Sequence, residues 1–547
     1  MGTPFSEWVP RLAQVAVRRQ GHGSRHVEML PIFYFAAVHA AQRNLMLIIE
    51  FSEHILTRLS IVYCDNLGEP FGERMISMQQ DVDIGALPTE MKRGAVGLWE
   101  AVFQSFSFVG PAGDVAILLV GTAAFALGAT PLAVLIAWAL YGLWMVVPIE
   151  FSKRIVNAGS FYAYSAQGLG GGGGVLALWY WMGENLTGPA FGVLGLSGFV
   201  YLLSTTLSKT GWVWIPIAVA TLAFGVILSY RGIRPSLQYT QWTGFLEIAF
   251  LVIGALVIVI KAGPHNSLAP FTLGPLHGAF SPLFLGVVFS VLDFTGLGTA
   301  TTISEEVKQS RKLVSRAIFI AWILSGIALI FPSYALTVGW GVHAMSSYAS
   351  SPDPGLIVFR RYLGNFGWIL LILFTINSYL NYMVAKVNAV SRIWYSAGRD
   401  GVLFERLSHI HPVFKTPYQT TLLFFAVILV IDIVAGLILG PTEAGIWLLT
   451  IAGVSIIAVH IVANTALTVY TVKAKVFNFL IHGLVPSVAT IIGGIVIWYS
   501  IYPVPKGPVG AAVLVAVAWL LVGLGVAYVI YQRQRERLKT AGLSHEG

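Results

Sequence analysis

Two apolar stretches of this 547-residue chain are interrupted by residues that could do chemistry: Gly110-Pro111-Ala112-Gly113, followed by Asp114, and Asp293-Phe294-Thr295-Gly296-Leu297-Gly298. Each interruption falls near the middle of a run long enough to cross a bilayer, where backbone N–H and C=O groups have no water to turn to. A helix restarting after such a break offers unpaired N–H groups and the positive end of its dipole, which suit a carboxylate. A helix ending before it offers carbonyls, which suit an ammonium group or a metal cation. A zwitterion needs both. Gly110, Pro111, Ala112, Gly113, Asp293, Phe294, Thr295 and Gly296 are therefore the candidate substrate contacts, with Phe294 as an aromatic gate. Glycines in one span alone would more simply mean close helix packing. Two interrupted spans at corresponding places in two five-helix halves favour a binding site.

Ionisable side chains in lipid cost roughly 3 kcal/mol or more at a helix centre, so each one is a candidate. Asp293 could pair with an amine or carry a proton, or cap the broken helix end. Asp114 could accept N–H groups or a cation, or likewise serve as a cap. Glu184, beside Asn185, reads as a proton acceptor or the partner of an ammonium group, and Glu247 as a proton relay. Lys386 could pair with an acid and imitate a bound cation, or snorkel to the interface. Asp432 and His460 are weaker candidates. Beyond the second break, Glu305-Glu306 and the basic Lys308, Arg311, Lys312 and Arg316 could form a gate latch with Arg399 and Asp400; solvated charges at a membrane face would read the same way.

The elements that must position these groups follow from composition. Hydrophobic residues make up 56% of the chain, charged residues only 11%, and the mean hydropathy is +0.76. A soluble domain carries about a quarter charged residues to satisfy its aqueous surface, so this surface faces lipid. Twelve membrane helices are expected, at about 98–126, 130–151, 171–203, 211–230, 236–261, 280–303, 315–341, 365–395, 418–439, 443–471, 478–501 and 509–531. Asn157 to Leu169 reads as an interfacial connection. An even number of spans puts both termini on one side. Nineteen flanking Lys and Arg lie on that side, against five opposite (Lys209, Lys261, Arg360, Arg361, Lys506), so the positive-inside rule makes the termini cytoplasmic and the protein a multi-pass protein of the cell membrane. The same asymmetry accounts for the net charge of +8 without nucleic acid. The expected domains are an N-terminal extension, 1–95, a membrane domain, 96–532, and a basic tail, 533–547. Residues 1–74 read either as a loosely folded or amphipathic extension or as lying upstream of a start at Met75 or Met78. The first 28 residues carry charges throughout and read as no cleavable signal. The one cysteine, Cys64, leaves no cysteine-based metal site. No metal-ligand spacing, nucleophile elbow or phosphate loop suggests an enzyme, and no cofactor is expected beyond a coupling ion, H+ or Na+.

Three segments resemble the amino acid–polyamine–organocation (APC) superfamily of permeases. They are Phe294-Thr295-Gly296-Leu297-Gly298 continuing through Ser304-Glu305-Glu306-Val307-Lys308; Asn157-Ala158-Gly159-Ser160-Phe161-Tyr162-Ala163-Tyr164 with Gly168-Leu169-Gly170; and Ser391-Arg392 through Gly398-Arg399-Asp400-Gly401-Val402-Leu403 to Thr416-Pro417. The resemblance covers roughly residues 85–535. It implies an all-α integral membrane fold, the LeuT-like 5+5 inverted repeat plus two C-terminal helices, and alternating-access transport of amino acids or amines. The chain departs from the pattern in three places: Gly110-Pro111-Ala112-Gly113 replaces a Gly-x-Gly cluster, Leu297 and Gly298 replace a Phe and a Glu, and the fifth span lacks the Lys with which some relatives replace sodium. The expected function is secondary active transport of amino acids or related amines, coupled to protons; a transporter-like sensor that binds without turnover, or an exchanger of amino acids or polyamines, are the alternatives. Asp293 would repel a second carboxylate, which favours neutral or cationic substrates over acidic ones.

Overall fold

The computed structural model describes residues 90–543, apart from 205, 206, 208 and 503–506. Expectations for residues 1–89, including the alternative starts, lie outside the described residues. Ten helical stretches are long and apolar enough to cross a membrane. The first, Leu98–Ser152, folds back on itself at Leu127–Ala129 and so makes two crossings, and the 17-residue apolar helix Trp214–Tyr230 makes another. The chain is thus a multi-pass helical membrane protein, with twelve spans among the described residues. Its only strand-like pairing among the described residues is a single parallel bridge, Val96 to Val307.

Span 1 runs Leu98–Phe106, breaks, and resumes through Pro111–Gly113, a π-helical turn Asp114–Leu118 and Leu119–Ala126. Span 6 runs Phe280–Ser290, tightens to a 3-10 turn at Val291–Phe294, breaks, and resumes as the 3-10 helix Thr299–Glu306. The intact spans are 2 (Thr130–Ser152), 3 (Gly171–Leu203), 4 (Trp214–Tyr230), 5 (Ile233–Ala262), 7 (Ser310–Trp340), 9 (Tyr418–Leu439) and 10 (Pro441–Lys473), with span 8 (Pro354–Arg399) kinked where Gly364 takes φ +69°. Spans 11 (Phe479–Ile501, opening on a π-helical turn) and 12 (Pro508–Arg533) complete the set. The connection after span 2 carries a short helix, Phe161–Leu169.

The packing pattern has an internal symmetry. Span 3 packs on span 10, and span 8 on span 5; span 3 also packs on spans 4 and 9, and span 8 on spans 9 and 4. Span 2 lies against span 7 and span 4 against span 9. The first half of span 6 lies on span 2, and the first half of span 1 on span 7. Exchanging each span n with span n+5 maps these neighbours onto one another. Because five is odd, partners under this exchange cross in opposite directions, which is an inverted repeat. Spans 11 and 12 stand outside it, packed on spans 2, 3 and 10. The repeat puts both broken spans at its centre.

Candidate functional site

The breaks are written in the local sequence. Gly110 sits in the left-handed region at φ +65°, and Pro111 follows at the first helical position, where its missing N–H costs nothing. Gly296 takes φ +89°, and a Cβ there would lie 2.3 Å from the ring of Phe108. Glycine is needed at 296 for both reasons. The two breaks hold each other: Ser105 Oγ accepts the Ala300 N–H at 2.9 Å, and Thr299 Oγ1 donates to Gln104 O at 3.4 Å.

The start of the second half of span 1 differs from the expectation that it would offer free N–H groups to a carboxylate. Pro111 has none. The Ala112 N–H donates to Glu247 Oε1 of span 5 at 3.0 Å, and the Gly113 and Asp114 N–H groups both turn back to Gly110 O at 3.0 and 3.3 Å. Glu247, 1% exposed, also accepts from Ser378 Oγ at 2.8 Å and Asn377 Nδ2 at 3.3 Å, while Thr375 Oγ1 donates to Ala112 O at 3.2 Å. The chain thus supplies its own carboxylate to this helix start, the anion that the dipole favours there. A substrate carboxylate has no vacancy at that end.

Between the breaks lies a cavity of about 90 Å³. Of the expected contacts, Gly110, Gly113, Asp293 and Thr295 line it, joined by Asp114. Its walls are aromatic: Phe108, Phe191, Phe289, Tyr379 and Tyr382. Asp114 is 2% exposed, and its Oδ2 has no hydrogen-bond partner; Asp293 Oδ2 is likewise buried and unpartnered. A buried carboxylate oxygen without a partner is costly and calls for a ligand. Phe294 is fully buried, 6.5 Å from Tyr141 between ring centres, and is not among the residues that line the cavity, whereas Phe108 is. Pro111 and Ala112 lie behind the cavity wall, and Gly296 lines a smaller pocket of about 10 Å³ on the terminus side, together with Glu184, Asn185 and His460.

On that terminus side Glu305, Glu306 and Asp400 each have partners. Glu305 accepts from both terminal nitrogens of Arg399 at 2.8 and 3.0 Å, and its Oε1 takes the Ala158 N–H at 2.9 Å. Glu306 does not join this pair; it binds Arg392 Nε at 2.5 Å and Nη2 at 3.2 Å, both partners 1% exposed or less. Asp400 accepts from Tyr162 Oη and from the Gly542 N–H, each at 2.8 Å. Burial, then the adjoining Asp400 charge, pushes the Tyr162 hydroxyl well above its ordinary range, so it remains the donor. The tail packs on this face: Asn157 Nδ2 donates to Leu543 O at 2.8 Å, and Leu538 packs at Gly171. Val96 exchanges backbone bonds with Glu306 O and Lys308 N at 3.0 and 2.9 Å, tying the start of span 1 to the end of span 6. Glu184 pairs with Lys386 of span 8, and His460 Nε2 lies 3.3 Å from Tyr141 Oη. Both Asp432 carboxylate oxygens are buried without partners in span 9, away from the cavity lining. Ser378, Asn377 and Phe108 are not singled out by the sequence, and Arg392 enters there only as part of a family-resembling segment; Ser378, Asn377 and Arg392 are polar residues within an apolar span, and that is the available signal.

Twelve spans, an inverted repeat and a solute-sized cavity at two central breaks define the polytopic carrier class of membrane protein. The chain belongs to the amino acid permease family, which matches it over residues 100–540. It is similar to the low-affinity putrescine importer PlaP of Escherichia coli K12, 24% identical over 284 residues, or 51% of this chain and 61% of that protein. It is similar also to a methylthioribose transporter of Bacillus subtilis, 28% identical over 442 residues, covering 77% and 90% of the two chains. The human cationic amino acid transporter 4 is 26% identical over 297 residues, covering 50% and 45%. The chain thus spans about three fifths of the length of the putrescine importer that it matches.

Proposed function

We propose that residues 96–532 form a permease that carries amines or amino acids bearing a free ammonium group across the cell membrane by alternating access, with both termini cytoplasmic. The observation that carries this reading is the pair of carboxylates Asp114 and Asp293, one from each broken span, each with a buried oxygen that has no partner, in a cavity walled by aromatic rings. Carboxylates and ring faces are the groups that recognise an ammonium ion. Because Glu247 already fills the neighbouring helix start, cationic amines and cationic amino acids fit better than acidic ones. Relatives named for putrescine and for cationic amino acids support the same substrate chemistry.

In this conformation the charge pairs Glu305–Arg399 and Glu306–Arg392 close the terminus side, and their separation is the step that opens it. Coupling is to protons: Glu247 bridges spans 1, 5 and 8, the elements that must rearrange, and is an acid that a proton can neutralise. Counterflow into proteoliposomes, run with a panel of labelled amines and amino acids with and without a pH gradient, tests the proposal. Concentrative uptake of ammonium-bearing solutes that responds to the gradient is expected. Saturable binding without accumulation would instead identify a sensor.

A further inference from the structure

The cavity and the smaller pocket beneath it share one wall, the ring of Phe108, which lines both. At that wall lies the ammonium of Lys386, from a side chain 2% exposed. It donates to Glu184 Oε1, 4.6 Å from the centre of the Phe108 ring and 5.2 Å from that of Tyr382. Tyr382 is fixed by its hydroxyl, which donates to Gly188 O at 2.9 Å. Gly188 keeps the spot open: a Cβ there would stand 2.8 Å from Glu184 Oε1 and 3.1 Å from Lys386 Nζ. One carboxylate with two ring faces is an ammonium cage, and here the chain's own lysine fills it.

We propose that Glu184, Phe108 and Tyr382 form a second site for a primary ammonium group on the path toward the terminus side, and that Lys386 is its resident occupant until a substrate ammonium displaces it. The inference rests on the reading of the substrate as an amine. It accounts for a lysine buried where a charge is expensive. A tethered cation keeps Glu184 neutralised while the path is empty, and an incoming ammonium takes over that role. A solute without a positive charge offers Glu184 nothing in return and leaves the lysine in place. Lys386 thereby acts as a charge filter between the cavity and the terminus-side pocket, downstream of Asp114 and Asp293.

The test uses the full-length protein in detergent with ethylammonium as the probe. Lys386→Ala removes the occupant and leaves a vacancy about the size of a small alkylammonium ion. The Lys386→Ala protein is expected to gain thermal stability on adding ethylammonium, with a half-saturating concentration about 10-fold or more below that of the unsubstituted protein, as loss of a charge-assisted bond implies. The double variant Lys386→Ala/Glu184→Gln is expected to lose this gain and fall back to the response of the unsubstituted protein, which reports the cavity at Asp114 and Asp293. A folded Lys386→Ala protein without the tighter response, or an equally tight response in the double variant, overturns the proposal. If Lys386→Ala does not fold, Lys386→Met/Glu184→Gln removes both charges at similar volume; unchanged exclusion of uncharged analogues in counterflow overturns the filter, and their admission supports it. Failure of the unsubstituted protein to take up any amine, with the ethylammonium response of Lys386→Ala intact, sinks the transport reading while supporting the cage.

Discussion

The two sides of the central breaks treat charge in opposite ways. On the terminus side, Glu305, Glu306, Asp400 and Glu184 each meet a cation or a donor hydroxyl, and Arg392–Glu306 is sealed from solvent. At the breaks themselves, Asp114 and Asp293 each keep one buried oxygen with no partner. Paired charges hold a fixed arrangement at little net gain, because desolvation offsets most of the attraction. Unpaired ones cost stability, and a protein retains that cost where a ligand removes it. On the proposed reading, the difference separates residues that close a gate from residues that wait for a solute.

The largest way to break this contrast is at the buried pair. Arg392→Met should destabilise the protein by about 3–5 kcal/mol, because Glu306 is left charged and unpaired; thermal denaturation in detergent measures it. Adding Glu306→Leu should recover most of that loss, which would show that the pair specifies an arrangement rather than supplying stability. The cavity should behave in the opposite sense. Asp114→Asn is expected to stabilise the empty protein by about 1 kcal/mol, since an amide leaves less unsatisfied charge in the same place. The same melting experiment compares the two directly, and a loss of stability in Asp114→Asn would erase the contrast.

Smaller effects sharpen the boundary between the two regions. Arg399→Gln weakens a half-buried pair worth about 0.5–1 kcal/mol, so the terminus side should open about 2–5-fold more often. The labelling rate of a cysteine placed at Ala389, on the small pocket, in a background lacking Cys64 reads that shift. Lys539→Ala, at an exposed pair with Glu536, should change neither melting nor labelling measurably.

The spans, their interruption and the gate acids were legible because each is a local pattern: apolar length, Gly and Pro within it, and charges just past its end. The twelve expected ranges agree with the helices to within a few residues at most ends, though span 8 begins eleven residues earlier, at Pro354, because the kink at Gly364 joins an outer segment to it. The partners were not legible. Glu247 finds Ala112 across 135 residues, Lys386 finds Glu184 across 202 and Arg392 finds Glu306 across 86. Nothing in a one-dimensional pattern states which of several buried acids a given base will reach. The aromatic that lines the cavity was not legible either: Phe108 and Phe294 each adjoin a break, and only Phe108 lines the cavity.

The central claim is that Asp114 and Asp293 hold the ammonium group of the substrate. Equilibrium binding of a labelled primary amine, taken from the counterflow panel, to the purified protein and to Asp293→Asn tests it most directly. Losing one charge-assisted contact should weaken binding about 10–100-fold while melting is unchanged or raised. Equal affinity in the two proteins would contradict the assignment.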